Sequence, residues 1–166
     1  MSELVDSSVD VAALMGRIER LEADSAQLRA RAQIRELMAD YAHGCDEQDA
    51  ERFMRIWHDD ALYDVGGDFG SGTGLAEIRE KLEIIWRESP ETRHWITDIT
   101  VDFDETDANR ATGNAHTICY VRNADGQHFC SAWYENVYTQ RDGVWKVQEV
   151  HLTVHWLKSL PFGDPA

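Results

Sequence analysis

Three residues of acid–base type stand in apolar surroundings along this chain: Asp46, His94 and Tyr41. Asp46 lies in GCDEQD, residues 44–49, between two runs with helical spacing, so it is either a helix N-cap or a carboxylate that faces inward. His94 opens a strand-like run, where a histidine has either a structural or a catalytic role. Tyr41 lies one helical turn before Cys45 on the apolar stripe, and its simplest role is that of a core tyrosine. These residue types predict acid–base chemistry in a mostly apolar pocket.

Other catalytic signatures are absent from the sequence. It has no GxSxG motif, no cysteine beside an obvious base and no dinucleotide fingerprint. The glycine-rich stretch at 66–74 lacks a phosphate-loop pattern and is interpreted as a flexible lid or a turn. The acids and histidine of WHDD, residues 57–60, point in different directions, and His151 and His155 would lie ~13 Å apart on a strand. We therefore predict neither a metal site nor a cofactor.

Composition and charge narrow the range of partners. The chain has 166 residues, enough for one domain with a substantial core. Its net charge of −15, from 31 acidic and 16 basic residues, disfavours binding to nucleic acid or to anionic membranes. The acidic N-terminus lacks a signal-peptide pattern, no apolar run could span a bilayer, and the 3 cysteines have no paired spacing. These features predict a cytoplasmic protein with reduced thiols.

The first half of the chain has helical patterns. Residues 1–32 carry a heptad seam, which predicts an amphipathic helix that packs on a partner subunit or on the domain's flank, with a simple surface helix as the alternative. Helices are also predicted at 33–44, at 49–57 and in a segment that ends near Glu88. A short strand is predicted at 61–65.

The second half has strand patterns separated by two Asp-Gly turns, at 125–126 and 142–143. Helices followed by long antiparallel strands predict an α+β fold, with helices on one face of a curved antiparallel sheet. If each turn has two residues, Cys119 pairs with Ala132, and Tyr134 pairs with His151.

This register assigns side chains to two faces of the sheet. One face is small and polar and carries Ala115, Thr117, Cys119, Ala132, Tyr134, Glu149, His151, Thr153 and His155. The other face is large and apolar and carries Ile118, Tyr120, Trp133, Val137, Val150, Leu152, Val154 and Trp156. We predict that the helices close a ligand pocket over the polar face and that another subunit covers the apolar face. A one-residue slip in either turn would exchange the faces.

Three stretches carry a resemblance to a known family: QIRELMADYAHGCDEQDAERFMRIWHDDALY, ETRHW and YENVYTQRDGVWKV. Their order and spacing, across about residues 30–158, are similar to the SnoaL-like branch of the nuclear-transport-factor-two-like superfamily. Within it, the chain most resembles the group of scytalone dehydratase, hexachlorocyclohexane dehydrochlorinase and bile-acid 7α-dehydratase. The resemblance implies a cone-shaped α+β barrel, in which a curved antiparallel sheet and helices close a pocket.

The resemblance also implies roles for single residues. Asp46 and His94 match an aspartate that orients a histidine, which then acts as general base, and Tyr41 matches an active-site tyrosine of the bile-acid enzyme. Arg141 matches an arginine of the dehydrochlorinase, with a buried structural ion pair as its alternative role. The chain departs from the group near Cys119, where the bile-acid enzyme has an aspartate. It also departs from scytalone dehydratase at Cys45, because that enzyme has a phenol immediately before its aspartate. The candidate substrate-binding residues are Tyr63, Cys119, Tyr134, His151, His155 and Arg141.

The implied function is a cofactor-independent lyase. Its reaction would be β-elimination of water, halide or a carbon fragment from a small hydrophobic, aromatic or polycyclic substrate. The alternatives are an isomerase or cyclase in the same pocket, a small-ligand binder, and an assembly module like the small subunit of aromatic-ring dioxygenases. The implied layout is an N-terminal helix at 1–32, a SnoaL-like domain at 33–158 and a tail at 159–166. A homo-oligomer is expected, with a trimer favoured over a dimer by resemblance.

Overall fold

The computed structural model describes residues 10–159. The chain divides into two compact units, residues 1–32 and 33–166, each defined by contacts among its own residues. The predicted tail, 159–166, lies almost entirely outside the described residues, as do residues 1–9 of the predicted N-terminal helix. Within the described part, no helix is long and apolar enough to cross a membrane.

The described part of the first unit is helical. Helix α1 spans Val11–Asp46, whereas the sequence predicted two helices. Asp10 caps its start, because its carboxylate accepts a hydrogen bond from the Ala13 N–H at 3.1 Å. The apolar side chains of the predicted seam are exposed, among them Leu14, Ile18, Leu21 and Leu28. Their role in packing stays a prediction.

A tight turn joins α1 to helix α2, Ala50–Met54. Asp49 caps α2, because its side chain accepts a hydrogen bond at 2.9 Å from a backbone N–H in the first turn. Gly44 permits the close approach of the two helices, since a Cβ at this position would lie 2.7 Å from the backbone nitrogen of Phe53. Asp46 is therefore not needed as a cap, and its carboxylate faces elsewhere.

The second unit is built on one sheet, which has seven strands among residues 10–159. The elements after α2 are β1 (Trp57–Asp64), a 3₁₀ turn (Gly67–Phe69), β2 (Ser71–Thr73), α3 (Gly74–Glu88), β3 (Glu91–Thr97), β4 (Asp102–Phe103), β5 (Arg110–Asn123), β6 (Gly126–Arg141) and β7 (Val144–Ser159). The strand order is β2-β1-β7-β6-β5-β3, with β4 also paired to β5. All pairs are antiparallel except β1 with β7. The predicted α+β fold is confirmed.

The predicted helix at 49–57 is too long. The chain joins the sheet before that helix could continue, because the Ile56 carbonyl accepts a hydrogen bond from the Val147 N–H at 2.8 Å. Strand β1 therefore begins at Trp57, which is fully buried, and not at 61.

The β5–β6 register differs from the predicted one by two residues. The hairpin closes with Asn123 opposite Gly126, so the loop is 124–125 and Cys119 pairs with Cys130 instead of Ala132. Because a shift of two residues leaves every side chain on its face, the predicted faces of β5 and β6 are retained.

Between residues 149 and 154 of β7 the predicted faces are wrong, whereas Trp156 lies on its predicted face. The turn at 142–143 is confirmed, but two irregularities shift the β6–β7 pairing by one residue each. After the first shift, Tyr134 pairs with Leu152 instead of His151. The inner face of the sheet, defined as the face that carries Tyr134, therefore receives apolar side chains from β7. The core lies between this face and the helices, and its buried side chains include Ile34, Met38, Phe53, Ile78 and Leu82.

Candidate active site

A cavity of about 250 Å³ lies against the inner face. Strands β1, β3, β5, β6 and β7 contribute to its lining, and so do residues of α1 and α3. Most of the lining is apolar or aromatic, and its few polar side chains include Thr92, His94, Thr117, Asn123 and His128. Drug-sized ligands occupy pockets of about 300–1,000 Å³, so this cavity fits a smaller molecule.

Asp46 and His94 are in direct contact at this cavity. The Asp46 Oδ1 atom lies 2.6 Å from His94 Nδ1, and Oδ2 accepts a hydrogen bond from the His94 backbone N–H at 2.7 Å. The Thr92 hydroxyl donates to Oδ1 at 2.8 Å. The His94 and Asp46 side chains are only 10% and 12% exposed. Strand β3 thus holds the last residue of α1 in one orientation.

These contacts determine the charge of Asp46. Burial by itself raises the pKa of this carboxyl group, but the hydrogen bonds and electrostatic attraction from His94, together with the Thr92 hydroxyl, bring the pKa below its ordinary value. Asp46 is therefore a carboxylate near neutral pH and accepts all three hydrogen bonds.

The carboxylate also fixes the tautomer of His94. Because Asp46 accepts at Nδ1, this atom carries the proton of the neutral ring, and Nε2 is the basic atom. Among residues 10–159, no group forms a hydrogen bond with Nε2. A histidine held in this way can remove a proton from a molecule in the cavity.

Three buried tyrosines line the same cavity as His94: Tyr41, Tyr63 and Tyr134. The Tyr41 hydroxyl is 2.8 Å from the Tyr63 hydroxyl. The Tyr41 ring centroid is 5.5 Å from that of Tyr134 and 6.1 Å from that of His94. Burial raises the pKa of all three phenols, so they remain protonated and can donate hydrogen bonds.

Asp46 borders a second cavity of about 180 Å³, with walls from α1 and β3 that include Arg35 and His43. Asp46 lines this cavity only, whereas His94 lines both. His94 therefore lies between the two cavities.

Residues 26–151 of the chain match the family described as SnoaL-like domain. The chain belongs to the SnoaL-like family. It is 27% identical over 142 residues to hexachlorocyclohexane dehydrochlorinase 1 of Sphingobium indicum, and the alignment covers 83% of this chain and 90% of that protein. The predicted family is thus confirmed.

Solved structures agree with the assignment to the SnoaL-like family. The structure of a type 2 hexachlorocyclohexane dehydrochlorinase is similar with a TM-score of 0.79 at 28% identity, covering 86% of this chain and 98% of that one. A scytalone dehydratase-like protein of Novosphingobium aromaticivorans shares the fold, with a TM-score of 0.72, 20% identity and coverage of 84% and 93%. Both the relative and the first of these structures are hexachlorocyclohexane dehydrochlorinases.

Cys119, Tyr63 and Tyr134 line the cavity, but the other three predicted substrate-binding residues lie outside it. His151 lies near Asp64, with its side chain 43% exposed, because the first β6–β7 irregularity turns it away. His155 is on the exposed last part of β7.

Arg141 also lies outside the cavity. It forms an ion pair with Asp60 at 2.9 Å, as one of the two sequence interpretations expected, but both side chains are exposed instead of buried.

The sequence analysis missed several residues that line the cavity. Thr92 lies two residues before His94 on the same strand, so the alternation of strand side chains would have identified it. His128 lies two residues before Cys130, and the correct hairpin register would have placed it inside. Leu152 and Val154 line the cavity because of the β6–β7 irregularity, for which the sequence contains no local signal.

The same site offers ligands for a metal ion. Among residues 10–159, the ligand atoms of Cys45, Asp46 and His94 lie within 4.8 Å of one another. However, burial raises the pKa of the Cys45 thiol to about 12, whereas a metal ion needs the thiolate. Asp46 and His94 are also bonded directly to each other. This arrangement fits an acid–base pair better than a metal centre.

Proposed function

We propose that this protein is a lyase that catalyses β-elimination on a small hydrophobic substrate without a cofactor. The observation that most supports the proposal is the hydrogen bond between Asp46 and His94 beside a mostly apolar cavity. A carboxylate at Nδ1 orients the imidazole and stabilises the imidazolium that forms when Nε2 takes a proton. The dehydrochlorinase relatives support the same reaction class.

In the proposed reaction, His94 Nε2 removes a proton from a carbon atom of the substrate. The electrons of that C–H bond form a carbon–carbon double bond, and a leaving group departs from the adjacent carbon with its bonding pair. A halide leaves as an anion, whereas a hydroxyl group must be protonated as it leaves. We assign that proton to the hydroxyl of Tyr41, whose ring contacts His94. When a halide leaves, His94 then returns its proton to solvent; when water leaves, the proton on His94 restores the hydroxyl of Tyr41.

The substrate is proposed to be a compact aromatic or alicyclic compound. The rings of Tyr63 and Tyr134 offer flat apolar contacts with hydroxyl groups at their edges. Leu152 and Val154 complete an apolar wall from β7. Apolar surroundings of this type strengthen electrostatic interactions with the charge that develops in the reaction.

The first experiment is a screen of chlorinated cyclohexanes and of hydroxylated cyclic compounds. Chloride release and the absorbance of the new double bond are the measurements. His94→Ala should lower turnover by ~10²–10⁴-fold, the usual contribution of a general base, with an unchanged circular dichroism spectrum. The control is His43→Ala, which alters an exposed histidine of α1. If wild type and His94→Ala eliminate at the same rate, the proposed base is wrong.

An isomerase or cyclase would use the same base, and its product identifies it. Elimination removes a group from the substrate, whereas an isomerase returns a proton to another carbon without loss of mass. In deuterated water, an isomerase product can carry solvent deuterium at that carbon. A non-catalytic binder or assembly module would keep its ligand or partner after His94→Ala.

We also propose that copies of the chain associate through the outer face of the sheet, with a trimer favoured over a dimer by resemblance. One row across this face consists of Trp95, Ile118, Ser131 and Trp156. Its apolar members are 52%, 40% and 41% exposed, which is unusual for neighbouring large side chains in water. Light scattering should therefore give more than one chain mass, and Ile118→Lys should reduce it. A monomer in the wild type would contradict this proposal.

A further inference from the structure

Two of the three cysteines of the chain are direct neighbours in the cavity wall. Cys119 on β5 is paired with Cys130 on β6, and both side chains are on the inner face. The row continues across the sheet in both directions, with His94 opposite Cys119 and Leu157 opposite Cys130. The two thiols thus lie in the same row as the proposed base.

The geometry of this pair is compatible with a disulfide. Both cysteines are free thiols in the structure. Directly opposed residues of antiparallel strands have Cα atoms about 4.5–5.5 Å apart, and disulfides join Cα atoms about 4.4–6.8 Å apart. In the structure the Cys119 thiol donates a hydrogen bond to the Tyr120 carbonyl at 3.3 Å, and the Cys130 thiol is its neighbour across the strand pair. Rotation of side chains, without a change of strand pairing, is enough to bring the two sulfur atoms together.

The two thiols have different reactivity. A Cys130 thiolate can accept a hydrogen bond from the neighbouring Cys119 thiol, and this, together with the electrostatic effect of His94, lowers the pKa of Cys130 to about 7 despite partial burial. The same interaction with Cys130, together with burial, raises the pKa of Cys119. Cys130 therefore has the properties of the attacking thiolate, and Cys119 has those of the resolving thiol. Cys45 is buried with a pKa of about 12, so it serves as an internal control.

We propose that Cys119 and Cys130 form a redox-active dithiol site in the cavity, which low-molecular-weight disulfides convert to an intramolecular disulfide. The Cys130 thiolate attacks one sulfur of the small disulfide, the S–S bond breaks, and one small thiolate leaves. Cys119 then attacks Cys130 in this mixed disulfide and releases the second small thiol. The protein dithiol loses two electrons and two protons, and the small disulfide gains both as two thiols. This site does not depend on the proposed lyase activity.

The experiment treats the purified full-length chain with oxidised glutathione under native conditions. The intact mass should fall by the mass of two hydrogen atoms, without a stable glutathione adduct. Trypsin can cut after Arg122, between the two cysteines, so a non-reducing digest should contain the peptides 111–122 and 123–141 joined by a disulfide. The peptide 36–52, which contains Cys45, should remain a free thiol.

Matched variants separate this site from general thiol oxidation. Cys45→Ser should form the disulfide as the wild type does. Cys119→Ser should instead retain one glutathione on Cys130, because the resolving thiol is absent. The proposal is overturned if Cys45 enters the linkage, if Cys119 and Cys130 each carry glutathione without linkage, or if both stay reduced.

A second probe tests the native chain without oxidation. Phenylarsine oxide binds two neighbouring thiols through one arsenic atom, so one equivalent should protect both Cys119 and Cys130 from iodoacetamide. Alkylation of both cysteines in the presence of the arsenical would show that the thiols are not close enough to act together. This result keeps its meaning if a cysteine variant fails to fold.

Discussion

Two aspartate–histidine pairs of this protein involve the same sheet and differ in their physical properties. In the inner pair, Asp46 and His94 are 2.6 Å apart and 12% and 10% exposed. In the outer pair, Asp64 and His151 are 3.4 Å apart and 40% and 43% exposed. Water and salt screen the outer pair, whereas burial and two further hydrogen bonds hold the inner one. The comparison teaches that the surroundings of such a pair, more than its residue types, make it suitable for acid–base chemistry.

The largest expected effect is on turnover, and it tests whether the inner pair alone takes part in the reaction. Asp46→Asn should lower turnover by at least ~10²-fold, because the amide cannot stabilise the imidazolium and no longer selects the correct tautomer. Asp64→Asn should leave turnover at the wild-type level. Initial rates of both variants with a substrate from the screen provide the measurement. Similar losses in the two variants would remove the distinction between the pairs.

The next effect is on stability and its pH dependence. Near neutral pH, Asp46→Asn should lower the free energy of unfolding by about 1.5–3 kcal/mol, the usual value for hydrogen bonds to a charged group. The folded-state pKa of Asp46 lies below the value of about 3.9 expected for an unfolded chain. The stabilisation is therefore present above that pH and is lost as the pH falls through the folded-state pKa.

Urea unfolding of wild type and Asp46→Asn at several pH values measures this pH dependence of the free energy of unfolding. The difference between them should shrink under acidic conditions. Asp64→Asn alters the exposed pair, so it should lower the free energy of unfolding by only about 0–1 kcal/mol near neutral pH. A constant difference for Asp46→Asn at every pH would show that its carboxylate is not the source.

A smaller effect tests the third contact of the inner pair. Thr92→Val removes the hydroxyl that donates to Asp46 but keeps the shape of the side chain. It should lower stability by about 0.5–1.5 kcal/mol and turnover by less than about tenfold. Thr117→Val is the matched control, since its hydroxyl also faces the cavity wall but donates to the Ile118 carbonyl. Equal effects on turnover would show that Thr92 does not act through Asp46.

The smallest effect is expected at a third charged pair. Arg141 contacts Asp60 where both side chains are exposed. Arg141→Met should therefore leave turnover and the melting temperature unchanged within error. A large loss of turnover would restore Arg141 as a substrate contact.

Several elements of the fold were predictable from local signals. Apolar periodicity identified the helix that ends near Glu88, and Asp-Gly at 142–143 identified the last hairpin. The choice between cap and inward carboxylate for Asp46 required the family resemblance, because its local sequence fits both. Asp49 then satisfies the cap, as this interpretation needs.

The lining from β7 was not predictable in the same way. The irregularities in β6–β7 pairing arise from contacts between distant residues, and no glycine or proline marks them in either strand segment. The two-residue error in the predicted β5–β6 register left every side chain of these strands on its predicted face. The one-residue shifts exchanged histidines for aliphatic side chains in the cavity wall.

These irregularities have a consequence for how the cavity can change during evolution. At each irregularity, β7 has one residue more than the paired segment of β6. The side chains on the outer face of β7 would therefore face the cavity if that extra residue were removed. Deletion of a single residue next to the first irregularity would turn His151 and Thr153 inward and Leu152 and Val154 outward, with no substitution in the wall. Length variation in β7 can therefore make the apolar wall of the cavity more polar in a single genetic step.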